Sequence, residues 1–303
     1  MSQRFRQSGR GRRNLRAVRS LDGRPMPSIA THLKQGLASD VRAIFNDSAR
    51  GETPVAPSDD ALFGPETAIR RVHADVTSMI IGGIAALLMQ MLHPSALAGI
   101  WDHSRFRGDM LGRLRRTARF IAVTTYAQRS EAEAAIASVN AAHGHVHGAR
   151  PDGIPYSARD PALLAWVHVT EGLCFLDAWQ RYGDRRLTTR EESDYFTQFG
   201  VIAAALGADP IPRNRGEAIA LVASFRPELI ATDRSKEVAR LILSPPQTPV
   251  HLLPAQRIAG AAAVDLLPRW AARMHGLAMP RLLKPLVRTG AFGLAGTLRW
   301  AFR

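Results

Sequence analysis

The sequence predicts an all-α protein, folded as a single orthogonal bundle of about eight to ten helices. Hydrophobic residues recur at helical spacing through most of the chain, and no run alternates in the manner of a β-strand. Caps and prolines typical of helix starts, and glycines typical of helix ends, separate these stretches. With 303 residues, 46% of them hydrophobic, the chain is long enough to bury a substantial core.

The composition divides the chain into three segments. Residues 1–27 are rich in Arg, Ser and Gly and have little periodicity, so we expect disorder there. Residues 28–279 carry the helical patterns and should form the all-α domain. Residues 280–303 form a basic amphipathic segment.

The first part of the domain contains two predicted helices. Leu33 and Leu37 begin an apolar stripe that predicts a helix over residues 31–45. A second stripe starts after Pro65 and continues through residues 69–92. It predicts one long, buried helix that ends near His93, because the proline at position 94 disfavours helix at the residue before it.

The stretch 111–148 combines two further helical patterns, broken near residues 128–130. Arg113, Arg116 and Thr117 stand at positions i, i+3 and i+4 of the first pattern, so we expect them to share one helix face. The second pattern ends in a cluster of histidines. The two helices could therefore line a pocket from two sides.

The remaining elements follow from their caps. Residues 148–157 are rich in Gly, Pro and Asp and predict a loop. Asp160 followed by Pro161 predicts a helix start, and this helix should stop before Gly183. Thr189 and Glu192 have the spacing of a capping box for the next helix. Later helical patterns cover residues 216–225, 235–243 and about 255–277.

The net charge of +14 does not indicate nucleic-acid binding once it is located. Residues 1–24 contribute +7 and residues 281–303 contribute +5, which leaves +2 for the other 256 residues. A nucleic-acid-binding protein usually carries its positive charge on the folded face that meets the phosphates. The single cysteine, Cys174, excludes an internal disulfide and a cysteine-based metal site.

No segment has the 18 or so uninterrupted apolar residues expected of a membrane-spanning helix. Arg12 and Arg13 resemble a twin-arginine export signal, but no apolar region follows them, so we expect a cytoplasmic protein. Segment 280–303 leaves two alternatives open. It could lie on a membrane surface as a basic amphipathic helix, or it could dock on the protein's own core.

His143, His145 and His147 are the clearest polar cluster. On a continuous helix the first and third would share a face, as in half of a zinc site, although no cysteine completes it. The alternative for His145 and His147 is an exposed helix end, where the helix dipole favours histidine. Small residues around His143 leave room for a flat group, as an axial haem ligand requires.

The other candidates have structural alternatives. Arg113, Arg116 and Thr117 could belong to a solvated basic face. His168 could be a core histidine bonded to Glu171 at i+3, and His93 could cap or pack a helix end. Gly82 and Gly83 are more typical of close helix packing than of a nucleotide site.

Three blocks together resemble a known family. They are HPSALAGIWDHSRFRGDMLGRLRRTARFI over residues 93–121, VNAAHGHVHG over residues 139–148 and PYSARDPALLAWVHVTEG over residues 155–172. In this order they are similar to the MpaB-type oxygenases, relatives of the catalytic domain of rubber oxygenases, also called latex-clearing proteins. The resemblance covers roughly residues 65–275. It implies an all-helical fold around one haem b. The characterised members of the family cleave isoprenoid carbon–carbon double bonds with dioxygen.

The resemblance also implies roles for individual residues. His143 matches the histidine that binds the haem iron, and Arg113 and Thr117 match an arginine and a threonine on the opposite side of the haem. Arg116 stands where rubber oxygenases have a lysine that can bind the iron; a guanidinium offers no lone pair, so Arg116 should not do so. His93 and His168 match recurrent histidines near the cofactor, without an assigned role.

Three functions are therefore in competition. The first is a haem b-dependent oxygenase that uses dioxygen on a hydrophobic, isoprenoid-like substrate. The second is a haem-binding sensor or carrier without oxygenase activity. The third is a helical module for a membrane surface or a protein partner, with no cofactor, which the basic ends would favour.

Overall fold

The computed structural model describes residues 29–46 and 51–302. The predicted disordered segment, 1–27, lies outside the described residues. Within them the chain forms thirteen α-helices and one two-stranded antiparallel sheet, so the all-α prediction is confirmed, with more helices than expected. The α-helices are α1 (Ile29–Phe45), α2 (Ala68–Ala74), α3 (Val76–Gln90), α4 (Pro94–His103), α5 (Met110–Tyr126), α6 (Arg129–His143), α7 (Pro161–Tyr182), α8 (Thr189–Ala205), α9 (Arg215–Ser224), α10 (Asp233–Leu243), α11 (Leu253–Leu266), α12 (Arg269–Met274) and α13 (Lys284–Phe302).

Helices α3 and α7 form the centre of the fold, and both are largely buried. Their backbones approach closely at Gly82. A Cβ atom there would lie 2.8 Å from the carbonyl oxygen of Cys174 and 2.9 Å from the Cα of Phe175. Glycine is therefore required for this contact, and the close-packing interpretation of Gly82 is confirmed.

The prediction of one long helix over residues 65–93 is wrong, because the helix is interrupted at Asp75. Helix α2 ends at Ala74, and α3 starts at Val76 after a bend of 92°. Asp75 caps α3, since its Oδ1 accepts a hydrogen bond from the Ser78 backbone at 2.8 Å. Among the described residues no single helix is long and apolar enough to cross a membrane, and only the bent pair α2 and α3 together reaches that length and composition.

Two other local predictions need correction. The capping box of α8 is formed by Thr188 and Glu191, one residue earlier than predicted. The predicted loop over residues 148–157 is a hairpin, in which β1 (His147–Ala149) pairs with β2 (Pro155–Ser157). By contrast, the caps of α7 are as predicted, with Asp160 accepting from the backbone of Ala162 at 2.8 Å.

Helix α13 packs on the domain through small residues and ion pairs. Ala291 and Ala295 are buried in its contact with the other helices. The carboxylate of Asp265, which is fully buried, lies 2.7 Å from both Lys284 and Arg288. The acids that balance the basic residues of α13 are thus supplied by the body of the protein.

A second ion pair ties the end of α13 to the bend between α2 and α3. Arg299 Nε lies 2.7 Å from Oδ2 of Asp75. The side chains of Leu282 and Leu286, before and at the start of α13, remain exposed to solvent, with exposed fractions of 91% and 72%.

Candidate functional site

Contacts among the three sequence blocks hold the end of α6 against α4 and the hairpin. The hydroxyl of Tyr156 in β2 donates to Asp102 of α4 at 2.7 Å. Burial, and then this bond, raise the pKa of Tyr156 to about 12. Val146 lies against Gly99, where an added Cβ would be 3.4 Å from its side chain. Residues that lie far apart in the sequence therefore fix the position of the histidine at the end of α6.

His143 is the last residue of α6 and is partly buried. Its Nδ1 is buried without a hydrogen-bond partner, and its Nε2 forms no hydrogen bond with the described residues. Burial, and then the positive charge of Arg159, lower the pKa of His143. The ring is therefore neutral near pH 7 and can offer a nitrogen lone pair.

The other two histidines of the cluster lie outside the helix. His145 and His147 are exposed, and His147 belongs to β1. The prediction that His143 and His147 share a helix face is therefore wrong, because α6 ends at His143. Among the described residues no group of three or more His, Cys, Asp or Glu side chains could hold a metal ion.

The candidate residues on α5 have different environments. Arg113 is partly buried and donates to the Ser104 hydroxyl at 3.2 Å. Thr117 is partly buried and donates to the Arg113 carbonyl at 3.3 Å. Arg116 is exposed, with its guanidinium 3.3 Å from Asp109. The structure thus brings Arg113 and Thr117 toward the interior and leaves Arg116 at the surface.

Arg113 is a cation without an acid partner. Burial, and then the nearby Arg116, lower the pKa of Arg113 to about 10, which still leaves it protonated at neutral pH. No carboxylate of the described residues lies within ion-pair distance of it. A desolvated guanidinium of this kind suits an anionic partner such as a carboxylate.

Several side chains indicate an interior space between α5, α6 and α7. Arg113, His143 and Glu171 are all strongly desolvated, yet each keeps accessible surface. A side chain that is surrounded by protein atoms but still accessible lies at the wall of a recess in the protein rather than on its outer surface. In addition, none of residues 111–123 of α5 is fully buried. We infer that one face of α5 borders this space.

His168 on α7 faces the same region. Burial, and then the charge of His143, lower its pKa to about 4, which places the two rings near each other. Its Nδ1 is buried without a partner, and its ring packs 5.7 Å from that of Phe199. The expected bond from His168 to Glu171 does not form, because the carboxylate of Glu171 meets Gln90 Nε2 instead, at 3.5 Å.

Two polar residues of this region were not singled out from the sequence. His73 on α2 packs 6.0 Å from Tyr195 on α8, and its Nδ1 lies 2.8 Å from the Thr125 hydroxyl. His73 Nε2 and the hydroxyl of Tyr195 are buried without partners. Burial lowers the pKa of His73 to about 3. No sequence pattern distinguishes these side chains from core residues, since only the tertiary packing brings them together.

His93 has partners for both ring nitrogens. Its Nδ1 accepts from the Ser95 backbone at 3.2 Å, which caps α4, and its Nε2 lies 3.5 Å from Glu228. The ring packs 6.0 Å from that of Trp166. The capping alternative for His93 is confirmed, and its predicted place near a cofactor has no support from these contacts.

The residues around the interior space fit a haem. A haem needs only one histidine nitrogen from the protein, and the neutral ring of His143 can supply it. Arg113 can pair with a haem propionate, and partly buried apolar side chains such as Leu114 and Val139 can contact the porphyrin. The set of donors is therefore compatible with haem, although it could not form a zinc site.

Comparison with known proteins agrees with the resemblance seen in the three blocks. No curated protein and no solved structure matches the chain. The sequence model of one family, described as ER-bound oxygenase mpaB/B'/Rubber oxygenase, catalytic domain, matches residues 70–300. Because this match covers most of the chain, including α2 to α13 almost completely, the protein belongs to the mpaB and rubber oxygenase catalytic-domain family.

Proposed function

We propose that this oxygenase-family domain is a haem b-dependent oxygenase that uses dioxygen to cleave a carbon–carbon double bond in a hydrophobic substrate. An isoprenoid is the first substrate class to test, because of the family. The observation that supports the proposal best is the neutral, partnerless ring of His143 beside an interior space. The desolvated Arg113 gives that space a cation without a carboxylate.

Each residue has a role that follows from its environment. His143 would hold the iron, and Arg113 would hold a propionate or another anionic group. The haem, when bound, would supply the oxygen chemistry. Thr117 would add one hydroxyl beside Arg113 on α5. Arg116 lies at the surface in an ion pair with Asp109, and a guanidinium offers no lone pair, so it supplies no ligand to the iron.

The absorption spectrum of the purified protein tests the cofactor. We expect a Soret band in the wild-type protein and its loss or shift in His143→Ala. The matched controls His145→Ala and His147→Ala should keep the wild-type spectrum, because both side chains are exposed and lie beyond α6. Full haem content in His143→Ala would contradict the assignment of the ligand.

Oxygen consumption separates an oxygenase from a haem-binding sensor or carrier. We expect the haem-loaded protein to consume dioxygen with an unsaturated isoprenoid, and to release carbonyl products. A protein that binds haem but consumes no dioxygen with any isoprenoid would instead be a sensor or carrier. A protein that stays colourless when haem is added would contradict the haem-dependent function altogether.

A further inference from the structure

Glu171 is an acidic residue in the interior to which the proposed function assigns no role. It lies on α7 and is partly buried, and no cation of the described residues lies within ion-pair distance of it. Among the residues that the structure describes, its carboxylate accepts one hydrogen bond, from Gln90 Nε2 at 3.5 Å, which is long. Burying an ionised carboxylate without a partner is costly, so this group favours its protonated form.

We place Glu171 beside the proposed pocket from its position on α7. It stands one helical turn after His168, whose ring is near His143. Gln90 is the last residue of α3 and is buried, and its Nε2 also donates to the Val167 carbonyl at 3.3 Å. The amide is therefore held in place by α7, and it holds the carboxyl group of Glu171 beside the end of α3.

The titratable groups around Glu171 are neutral. They are Tyr195 on α8, His73 on α2, and His168 and Cys174 on α7 itself. Burial lowers the pKa of the two histidines and raises the pKa of the phenol and the thiol. With Glu171 protonated, this side of the pocket carries an O–H donor and carbonyl acceptors but no charge.

We propose that Glu171 and Gln90 form a polar subsite that binds a neutral oxygen, a hydroxyl or a carbonyl, at one end of an otherwise apolar substrate. This inference rests on the proposed function, because it assigns a substrate class to the same interior space. A pure hydrocarbon would leave the O–H of the carboxyl group without an acceptor inside the complex. A site built around such a donor discriminates against a ligand that lacks the oxygen.

Binding of two matched probes tests the subsite. The probes are an acyclic monoterpene alcohol and the monoterpene hydrocarbon of the same carbon skeleton, titrated calorimetrically into the full-length protein at pH 6. We expect the alcohol to bind about tenfold more tightly to the wild-type protein. Glu171→Leu should remove this preference, whereas Glu171→Gln should keep part of it, because the carboxamide still donates.

Asp177 offers a control on the same helix. Its pKa is also raised by burial, but its carboxylate pairs with Arg215. Asp177→Asn should therefore keep the preference for the alcohol. A second measurement does not depend on ligand affinity: the infrared spectrum at pH 6 should show a protonated carboxyl band that is absent in Glu171→Gln and shifts when the alcohol binds.

The outcomes distinguish this inference from the proposed function. Equal affinity for the two probes, a preference that survives Glu171→Leu, or a carboxyl band that does not respond to the alcohol would overturn the subsite while leaving a haem-dependent oxygenase intact. If neither probe binds and added haem gives no Soret band, the interior pocket itself is refuted, and the subsite with it.

Discussion

At the scale of single residues, the site is defined by desolvated polar side chains that lack an opposite charge or a full set of hydrogen bonds. Arg113 has no acid, Glu171 has no cation, and His143 Nδ1 has no hydrogen-bond acceptor among the described residues. Each such group costs stability of roughly 1–3 kcal/mol when it stays buried and unsatisfied. Incompletely satisfied groups of this kind are expected where a fold is organised to bind a ligand as well as for its own stability.

Arg113→Met should separate binding from folding. Removing the unpaired, desolvated cation should leave the melting temperature of the haem-free protein unchanged or raise it, because the guanidinium has no acid to stabilise it. Haem affinity should fall about tenfold, through loss of one charge-assisted hydrogen bond.

Arg116→Met is the control for Arg113→Met, since Arg116 lies on the same helix but is exposed. It should change neither the melting temperature nor the haem affinity by a measurable amount. Equal effects of the two substitutions on haem affinity would contradict an interior role for Arg113.

Glu171 should make the stability of the haem-free protein depend on pH. Burial raises its pKa from 4.5 to about 7, so the folded state holds a proton that the unfolded state has released between these values. Stability from this group is therefore lost as pH rises from about 4.5 to about 7.

Glu171→Gln tests this pH dependence directly. Relative to wild type, the variant should gain on the order of 2 kcal/mol in free energy of unfolding above pH 7 and nothing comparable near pH 4. Chemical denaturation at the two pH values measures the difference. A gain that is the same at both would show that the carboxyl group is not desolvated.

At the scale of elements, the close approach of α3 and α7 depends on one glycine. Gly82→Ala would place a methyl group against the backbone of Cys174 and Phe175, neither of which can move without shifting α7. We expect a loss of about 1–3 kcal/mol in stability, from overpacking.

The adjacent Gly83 provides a matched control for this prediction. Its added Cβ would meet only the Phe175 ring, at 3.7 Å, an ordinary contact. Gly83→Ala should therefore stabilise the protein by up to about 1 kcal/mol, through helix propensity. Thermal denaturation of both variants measures the contrast, and a similar effect of the two would contradict the close packing.

Helix starts and ends could be predicted wherever the cap is local. Asp160 with Pro161 fixed the start of α7 correctly, because both signals lie within three residues. The break at Asp75 was missed, since the apolar pattern continues across it and Asp75 is also paired with the distant Arg299. The hairpin at residues 147–157 was missed because only three residue pairs form it, held by the contact of Tyr156 with Asp102.

The candidate site was predicted only in part. His143 and Arg113 were singled out from helical spacing and the histidine cluster, the family resemblance implied their roles, and both side chains are partly buried. The grouping of Glu171, His73 and Tyr195 could not be predicted, because these residues come from three helices and no spacing links them. Arg116 was expected to line a pocket with Arg113 and Thr117, but its side chain is exposed. Helical spacing alone does not determine which edge of a helix face meets water.

At the scale of the whole molecule, α13 is tied to the body of the protein. Lys284, Arg288 and Arg299 pair with the buried acids Asp265 and Asp75. Truncation after Met279 should therefore destabilise the fold, because it leaves two buried carboxylates short of cations and uncovers apolar surface. Thermal denaturation of the truncated chain measures this, and an unchanged melting temperature would contradict it.

Peripheral membrane contact through residues 280–303 stays a proposal, and the exposed Leu282 and Leu286 offer a better test than truncation. The double substitution Leu282→Ser with Leu286→Ser should abolish co-sedimentation with anionic vesicles at low salt and leave the melting temperature unchanged. The double substitution Leu33→Ser with Ile219→Ser, at other exposed apolar positions, is the control. Sedimentation that persists would exclude this surface as the membrane contact.

The weak burial of α5 should affect how fast its backbone amides exchange hydrogen with solvent. Residues 111–123 contain no fully buried position, whereas α3 and α7 are buried along most of their length. In amide hydrogen exchange, α5 should therefore open locally and lose its protons long before the central pair does. Addition of haem should slow the exchange of α5 selectively. Helix α5 would then be the element that moves aside to admit a rigid, planar molecule.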